Sequence, residues 1–173
     1  MTILETERLL LRQFTLADAP FIFELLNTPT WLRFIGDRGV RSLEDAENYL
    51  RGGSIKSYEV NGFGFYAVIE KESQKMIGMC GLIKRDGLDD IDIGFAFLPD
   101  VIGKGYGTEA AQAMLKYSFN QLKIRRLVAI VNPDNDASIS VIKKIGMQFE
   151  KLIILDEKKQ NLMLFAIEKP NQN

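Results

Sequence analysis

Apolar side chains recur along the chain with two periods, and the change of period separates a helical front from a strand-rich middle. Residues 8–14 carry the apolar run Leu9-Leu10-Leu11 between polar neighbours and predict a strand. Thr15 and Asp18 then have capping-box spacing, and Ala19, Ile22, Phe23 and Leu26 recur at i, i+3, i+4 and i+7. That predicts a helix, broken at Thr28-Pro29-Thr30. Residues 31–35 form a short helical piece before Gly36. Ser42 and Asp45 repeat the capping spacing and open a second helix, for which Gly52-Gly53 is a natural stop. Beyond it Phe63, Phe65, Ala67 and Ile69 alternate with smaller or polar residues, the mark of a half-buried strand. A turn at 72–75 leads to a strand over 76–84, and a turn at Asp86-Gly87 leads to one over 90–98. On that last strand Ile91, Ile93, Phe95 and Phe97 share one face, and Asp90, Asp92, Gly94 and Ala96 share the other. The expectation is a run of antiparallel strands.

Past Pro99, Gly103-Lys104-Gly105-Tyr106-Gly107 precedes a helix through about residue 122, with Ala111, Leu115, Phe119 and Leu122 as its buried stripe. Residues 126–131 read as a short strand, 136–144 as a short helix closed by Gly146, and 147–155 with 161–167 as a final strand pair. The class is mixed α/β. The crossover through residues 90–131 makes strands 90–98 and 126–131 parallel neighbours or splays them apart.

Composition narrows the function. A chain of 173 residues, 46% hydrophobic and 26% charged, is expected to form a single domain over 1–173 with its own core. Its 22 Lys and Arg against 23 Asp and Glu argue against nucleic acid, which needs a basic surface. With no histidine, Ser-His-Asp and Cys-His sites and histidine-ligated metals are excluded; the lone Cys80 excludes an intrachain disulfide and a four-cysteine zinc site. Cys80 sits in an apolar strand and reads as a buried structural cysteine. The N-terminus lacks the n- and h-regions of a signal peptide, and no apolar run approaches the roughly 18 residues of a membrane span. A cytoplasmic protein without membrane contact is the expectation.

Gly103, Gly105 and Gly107 alternate where a strand meets a helix. Their backbone can turn sharply and approach a ligand, and the first N–H groups of the helix are free to bind a phosphate. A plain helix-starting turn is the alternative. No P-loop string exists, and Gly105-x-Gly107-x-x-Ala110 lacks the context of a dinucleotide fingerprint, because residues 99–104 separate it from the strand.

The string Ile102-Gly103-Lys104-Gly105-Tyr106-Gly107-Thr108-Glu109-Ala110 resembles the acetyl-CoA loop of the GNAT N-acetyltransferases, Q/R-x-x-G-x-G/A. Asn132-x-x-Asn135-x-x-Ser138, followed by Lys143-Lys144-Ile145-Gly146-Met147, resembles that family's second motif. Thr6-Glu7-Arg8-Leu9-x-Leu11-Arg12 and Ile93-Gly94-Phe95 resemble the RimJ/RimL branch, and the likeness runs over about residues 5–168. Two positions depart from it: Ile102 stands for the usual Gln or Arg, and Ile142 for a Tyr that serves many members as general acid.

The resemblance implies a mostly antiparallel sheet, helices on both faces, and a V-shaped cofactor cleft where strands 90–98 and 126–131 part. It implies an N-acetyltransferase with acetyl-CoA as co-substrate and no metal. Backbone N–H groups of Gly103, Lys104, Gly105, Tyr106, Gly107 and Thr108 would hold the pyrophosphate, while Phe97 and Leu98 pair with the pantetheine as an added strand. Asn135 would bond the pantetheine amide. Asp92 is the candidate base, its alternative being one member of a solvated acidic turn with Asp89 and Asp90. Ser138 is the candidate acid in place of the missing Tyr, its alternative being helix capping. The acceptor, a small amine or a peptide N-terminus, would meet Trp31, Arg33 and Phe34 and the turn at 156–160; Trp31 as plain core is the alternative. Other open alternatives are a catalytically weak acyl-CoA-binding or sensing domain and, for assembly, a homodimer.

Overall fold

The computed structural model describes residues 1–155 and 160–171. The chain starts with a strand that periodicity alone does not announce, β1 (Thr2–Glu5), paired antiparallel with β2 (Leu9–Gln13). Asp18 then ends the turn before α1 (Ala19–Leu26): its carboxylate accepts from the Thr15 N–H at 2.8 Å and from both terminal nitrogens of Arg12 at 2.8 Å. Ile22 and Leu26 of α1 are buried as their spacing predicts, whereas Phe23 is exposed. Next come α2 (Pro29–Phe34) and α3 (Leu43–Leu50).

The stop expected at Gly52-Gly53 does not occur. A π turn, Arg51–Ile55, carries the helix through both glycines into α4 (Lys56–Asn61). Leu50 and Ser54 are buried on either side of the pair, so packing holds the segment helical where propensity alone would end it. Termination falls at Gly62, whose φ of +77° only glycine adopts cheaply and whose N–H bonds the Tyr58 carbonyl at 3.2 Å.

The remaining elements follow the predicted order: β3 (Phe65–Glu70), β4 (Met76–Ile83), β5 (Ile91–Phe97), α5 (Tyr106–Asn120), β6 (Arg126–Val131), α6 (Asp136–Lys144), β7 (Gln148–Ile154) and β8 (Asn161–Glu168). Eight strands make one sheet in the order β1-β2-β3-β4-β5-β6-β8-β7. Every neighbouring pair is antiparallel except β5–β6.

That parallel pair is short, with register only at Ile91↔Leu127 and Asp92↔Val128. Beyond it β5 stays with β4 as far as Phe97, and β6 stays with β8 as far as Val131. The two strands therefore part, leaving unpaired backbone edges that face each other across a V. Helices cover both faces. Tyr66, Cys80, Leu82 and Ile93 pack toward Ala110, Ala111 and Met114 of α5, while Ala67 and Met79 pack toward Ile22, Leu25, Trp31 and Leu50. Among the described residues no helix is long and apolar enough to cross a membrane.

Candidate active site

A cavity of about 1190 Å³ starts at the glycine loop, passes between the parted strands and ends against α2 and α3. Its first wall is the loop. Gly103 and Gly105 have φ of +87° and +83°, and Gly105 is the N-cap of α5. The loop amides are left over from secondary structure. The N–H groups of residues 103–108 have no acceptor among the described residues, and the first N–H engaged is that of Glu109, on the Gly105 carbonyl at 3.1 Å. Consecutive unpaired donors at the positive end of a fifteen-residue helix form an anion site.

The loop is held by the start of the chain. Glu109 accepts from the Thr6 hydroxyl at 2.6 Å, the Arg8 N–H at 2.9 Å and the Arg8 Nε at 2.7 Å. A terminal nitrogen of Arg8 also donates to the Lys104 carbonyl at 2.9 Å. Burial raises the Glu109 carboxyl, but these hydrogen bonds outweigh it and leave the group below its ordinary range. The Thr6-Glu7-Arg8 string thus braces the loop. The Tyr106 side chain is engaged within the protein: its hydroxyl bonds Glu70 and its ring lies 4.3 Å beneath the Arg8 guanidinium.

Phe97 lines the cavity from the open edge of β5, but Leu98 does not. The Leu98 N–H is given to the Ile77 carbonyl at 2.9 Å and its carbonyl accepts from Val101 at 3.2 Å. With its N–H committed to β4 and its side chain off the cavity, Leu98 offers no main-chain donor to a ligand, against the expectation that it extends the edge. Across the V stand Asn135, Ser138 and Ile142. Asn135 caps α6 through its side-chain oxygen on the Ser138 N–H at 3.2 Å. The Ser138 hydroxyl itself has no partner among the described residues. Capping accounts for Asn135 Oδ1 and leaves the serine Oγ unused. Ile142 is buried, which makes it part of the cleft floor and not a solvated substitute for a hydroxyl.

The acids beside the strand separate sharply. Asp90 is partly exposed and pairs with Arg126 at 3.0 Å. Asp92, at the last paired position before the strands diverge, is only 2% exposed. One oxygen accepts from Arg85 Nε at 2.6 Å, and the other, Oδ1, has no hydrogen-bond partner among the described residues. Burial pushes the carboxyl up to about 6, with Arg85 and the Ile130 amide holding it lower than burial alone would. A buried carboxylate poised near neutrality with one oxygen unused, on the wall of a cleft, is chemically competent to take a proton.

Cys80 lies outside the cleft, fully buried on β4, and burial pushes its thiol up to about 12. A covalent acyl-cysteine route is thereby closed. Cys80→Ala is expected to retain turnover within about twofold, and the native thiol to resist an alkylating reagent that labels it once the chain is unfolded. Labelling of the folded protein that tracks loss of activity is the contrary outcome.

At the far end Trp31 and Phe34 line the cavity. Trp31 is also core: it is 4% exposed and its indole N–H donates to the Gly36 carbonyl at 3.1 Å. Arg33 does not reach the cavity; it is exposed and lies 4.6 Å over the Phe34 ring. Of the turn expected to complete this end, residues 156–159 lie outside the described residues. Arg38, Tyr49 and Arg85, which sequence reasoning passed over, line the cavity instead. Nothing in the periodicity marks them, since two arginines in loops and a tyrosine on an amphipathic helix read as ordinary surface.

The acetyltransferase (GNAT) domain matches residues 8–148 of this chain. An uncharacterized N-acetyltransferase of Bacillus subtilis, YnaD, is 33% identical over 145 residues, covering 84% of this chain and 82% of its own. The crystal structure of a GNAT-family acetyltransferase from Bacillus anthracis superposes with a TM-score of 0.80 at 30% identity, covering 97% of this chain and 98% of that one. RimL, a ribosomal alpha-N-protein acetyltransferase solved in complex with coenzyme A, has a TM-score of 0.84 at 20% identity over 97% of this chain and 98% of its own, a likeness of fold alone.

Proposed function

The chain belongs to the GNAT acetyltransferase family, and we propose that it transfers acetyl from acetyl-CoA to a primary amine by direct attack. The observation that carries this reading is one cleft joining two things: the unpartnered N–H groups of Gly103 and residues 105–108, with Lys104 off the lining, and buried Asp92, which keeps one oxygen unused. When bound, acetyl-CoA supplies an acetyl thioester whose carbonyl carbon accepts the amine nitrogen as the carbon–sulfur bond breaks.

The residues divide the remaining work. The loop amides and the α5 dipole hold the pyrophosphate, and the open β5 edge at Phe97 and the Asn135 amide orient the pantetheine. Asp92 takes the proton that the amine must lose, directly or through one water. Arg85 fixes that carboxylate through its Nε. The Ser138 hydroxyl, without a partner among the described residues, is free to give a hydrogen bond to the departing sulfur, which leaves as thiolate. The opening at Thr6–Arg12, which resembles the RimJ/RimL branch, supports placing the chain there, with a small amine or a peptide N-terminus as acceptor.

Release of free CoA thiol across amino acids, polyamines, aminoglycosides and N-terminal peptides tests the reaction. Melting in the presence of acetyl-CoA, CoA and NAD tests the ligand. Acetyl-CoA at 100 times its Kd adds about 2.7 kcal/mol to stability, and NAD is expected to add nothing. Stabilisation by acetyl-CoA without release of thiol from any acceptor would favour an acyl-CoA sensor instead.

A further inference from the structure

The acceptor end of the cavity is built to receive negative charge. Arg38 is exposed in the loop ahead of α3 and makes no hydrogen bond or ion pair among the described residues. Arg85 spends only its Nε on Asp92 and leaves both terminal nitrogens without a partner there. The Tyr49 hydroxyl, on the same cavity, is likewise without a partner among the described residues. Burial raises that phenol, and the charges of Arg38 and Arg85 both pull it back. Lys56 and Lys84 also line the cavity, whereas its carboxylates are Asp86 and the ion-paired Asp92. An acceptor bearing only positive charge meets repulsion here.

Room for a ligand is built into the same wall. Gly52 and Gly53 lie inside a helical segment, at a cost of about 1 kcal/mol each relative to alanine. Neither has positive φ, and a Cβ on either would meet nothing within 4 Å. The fold does not need glycine at these positions, yet both border the cavity. Space there belongs to whatever enters.

We propose that the acceptor is an amine carrying an anionic group, a carboxylate or a phosphate, within a few bonds of its nitrogen, received by Arg38, the free end of Arg85 and the Tyr49 hydroxyl while the amine faces Asp92. The short spacing follows from Arg85 itself: its Nε touches the base at 2.6 Å and its unpartnered terminal nitrogens belong to the same planar guanidinium, which puts the anion site next to the proton acceptor. This rests on the acetyl-transfer reading above and narrows its substrate.

The test is thiol release from acetyl-CoA with free amino acids, each paired with its carboxamide, together with an aminoalkyl phosphate and a polyamine. At least one amino acid or the aminoalkyl phosphate should exceed its uncharged or polycationic counterpart about tenfold or more in kcat/KM, and which of the two wins separates carboxylate from phosphate. Arg38→Gln should raise KM for that acceptor about tenfold with kcat and the KM for acetyl-CoA little changed, and Arg38→Lys should recover part of the loss. Carboxamides or the polyamine turned over as well as the anionic acceptors overturns the inference and leaves acetyl transfer standing. So does an Arg38→Gln variant that weakens all acceptors alike. Absence of turnover with every acceptor overturns the acetyl-transfer reading and the inference with it.

Discussion

Asp92→Asn is expected to lower turnover by about 10²–10⁴-fold, the usual worth of a positioned general base, while the protein melts no lower at neutral pH. The two halves of that expectation have one cause. Burial raises the Asp92 carboxyl to about 6 from an ordinary value of 3.8, so the folded chain holds this proton more tightly than the unfolded chain does. Stability is therefore lost as pH rises from about 4 to about 6, and the deficit persists above that window. Its upper bound is about 3 kcal/mol, from two pKa units at about 1.4 kcal/mol each. Asparagine keeps a carbonyl for the Arg85 Nε and removes the buried charge. Wild-type kcat/KM should fall below pH 6 as the base becomes protonated, and the variant's residual rate should lose that inflection. Turnover assays over pH 5–9 beside thermal melts decide the matter. A variant with wild-type rate reduces Asp92 to the partner of a structural ion pair.

The periodicities carried most of the fold because strands and helices here bury one face each. β6 and α6 fall at the residues the pattern marks, and β3, β4 and β5 run antiparallel as expected. What the pattern missed depends on contacts far apart in sequence. β1 has four residues, too few for a period, and exists because β2 offers it an edge. The π turn at Gly52-Gly53 is set by Leu50 and Ser54 anchoring either side. The loop was legible as a motif, but its brace was not: Thr6 and Arg8 meet Glu109 across about a hundred residues. Asp92 could be chosen for its strand face, yet its neighbours Asp89 and Asp90 carry the same charge, and only the three-dimensional placement separates one buried carboxylate from two more exposed ones. Leu98 and Arg33 were misassigned for the same reason. A strand's edge donors and an arginine's direction are fixed by partners, Ile77 for one and the Phe34 ring for the other.

Gly105→Val is expected to weaken acetyl-CoA binding about a hundredfold without unfolding the protein. At φ +83° a β-branched residue costs about 1–2 kcal/mol or more, and the new Cβ would stand 3.3 Å from a terminal nitrogen of Arg8. The backbone relieves that strain by leaving the left-handed region, which rotates the neighbouring amides and disturbs the proposed phosphate site. Losing two hydrogen bonds to a charged phosphate, at about 1.5 kcal/mol each, gives the hundredfold figure. The core should survive, because Ala110, Ala111 and Met114 anchor α5 independently of the loop. Gly62→Val is the matched control. It imposes the same strain at φ +77° where a Cβ would meet nothing within 4 Å, and Gly62 does not line the cavity. Both variants should melt a few degrees lower, about 2–4 °C per kcal/mol for a chain of this size, while only the loop variant loses affinity in calorimetric titration with acetyl-CoA. Equal affinity in the two variants means that the amides of residues 103–108 do not carry the phosphate, and the loop is then a helix start and nothing more.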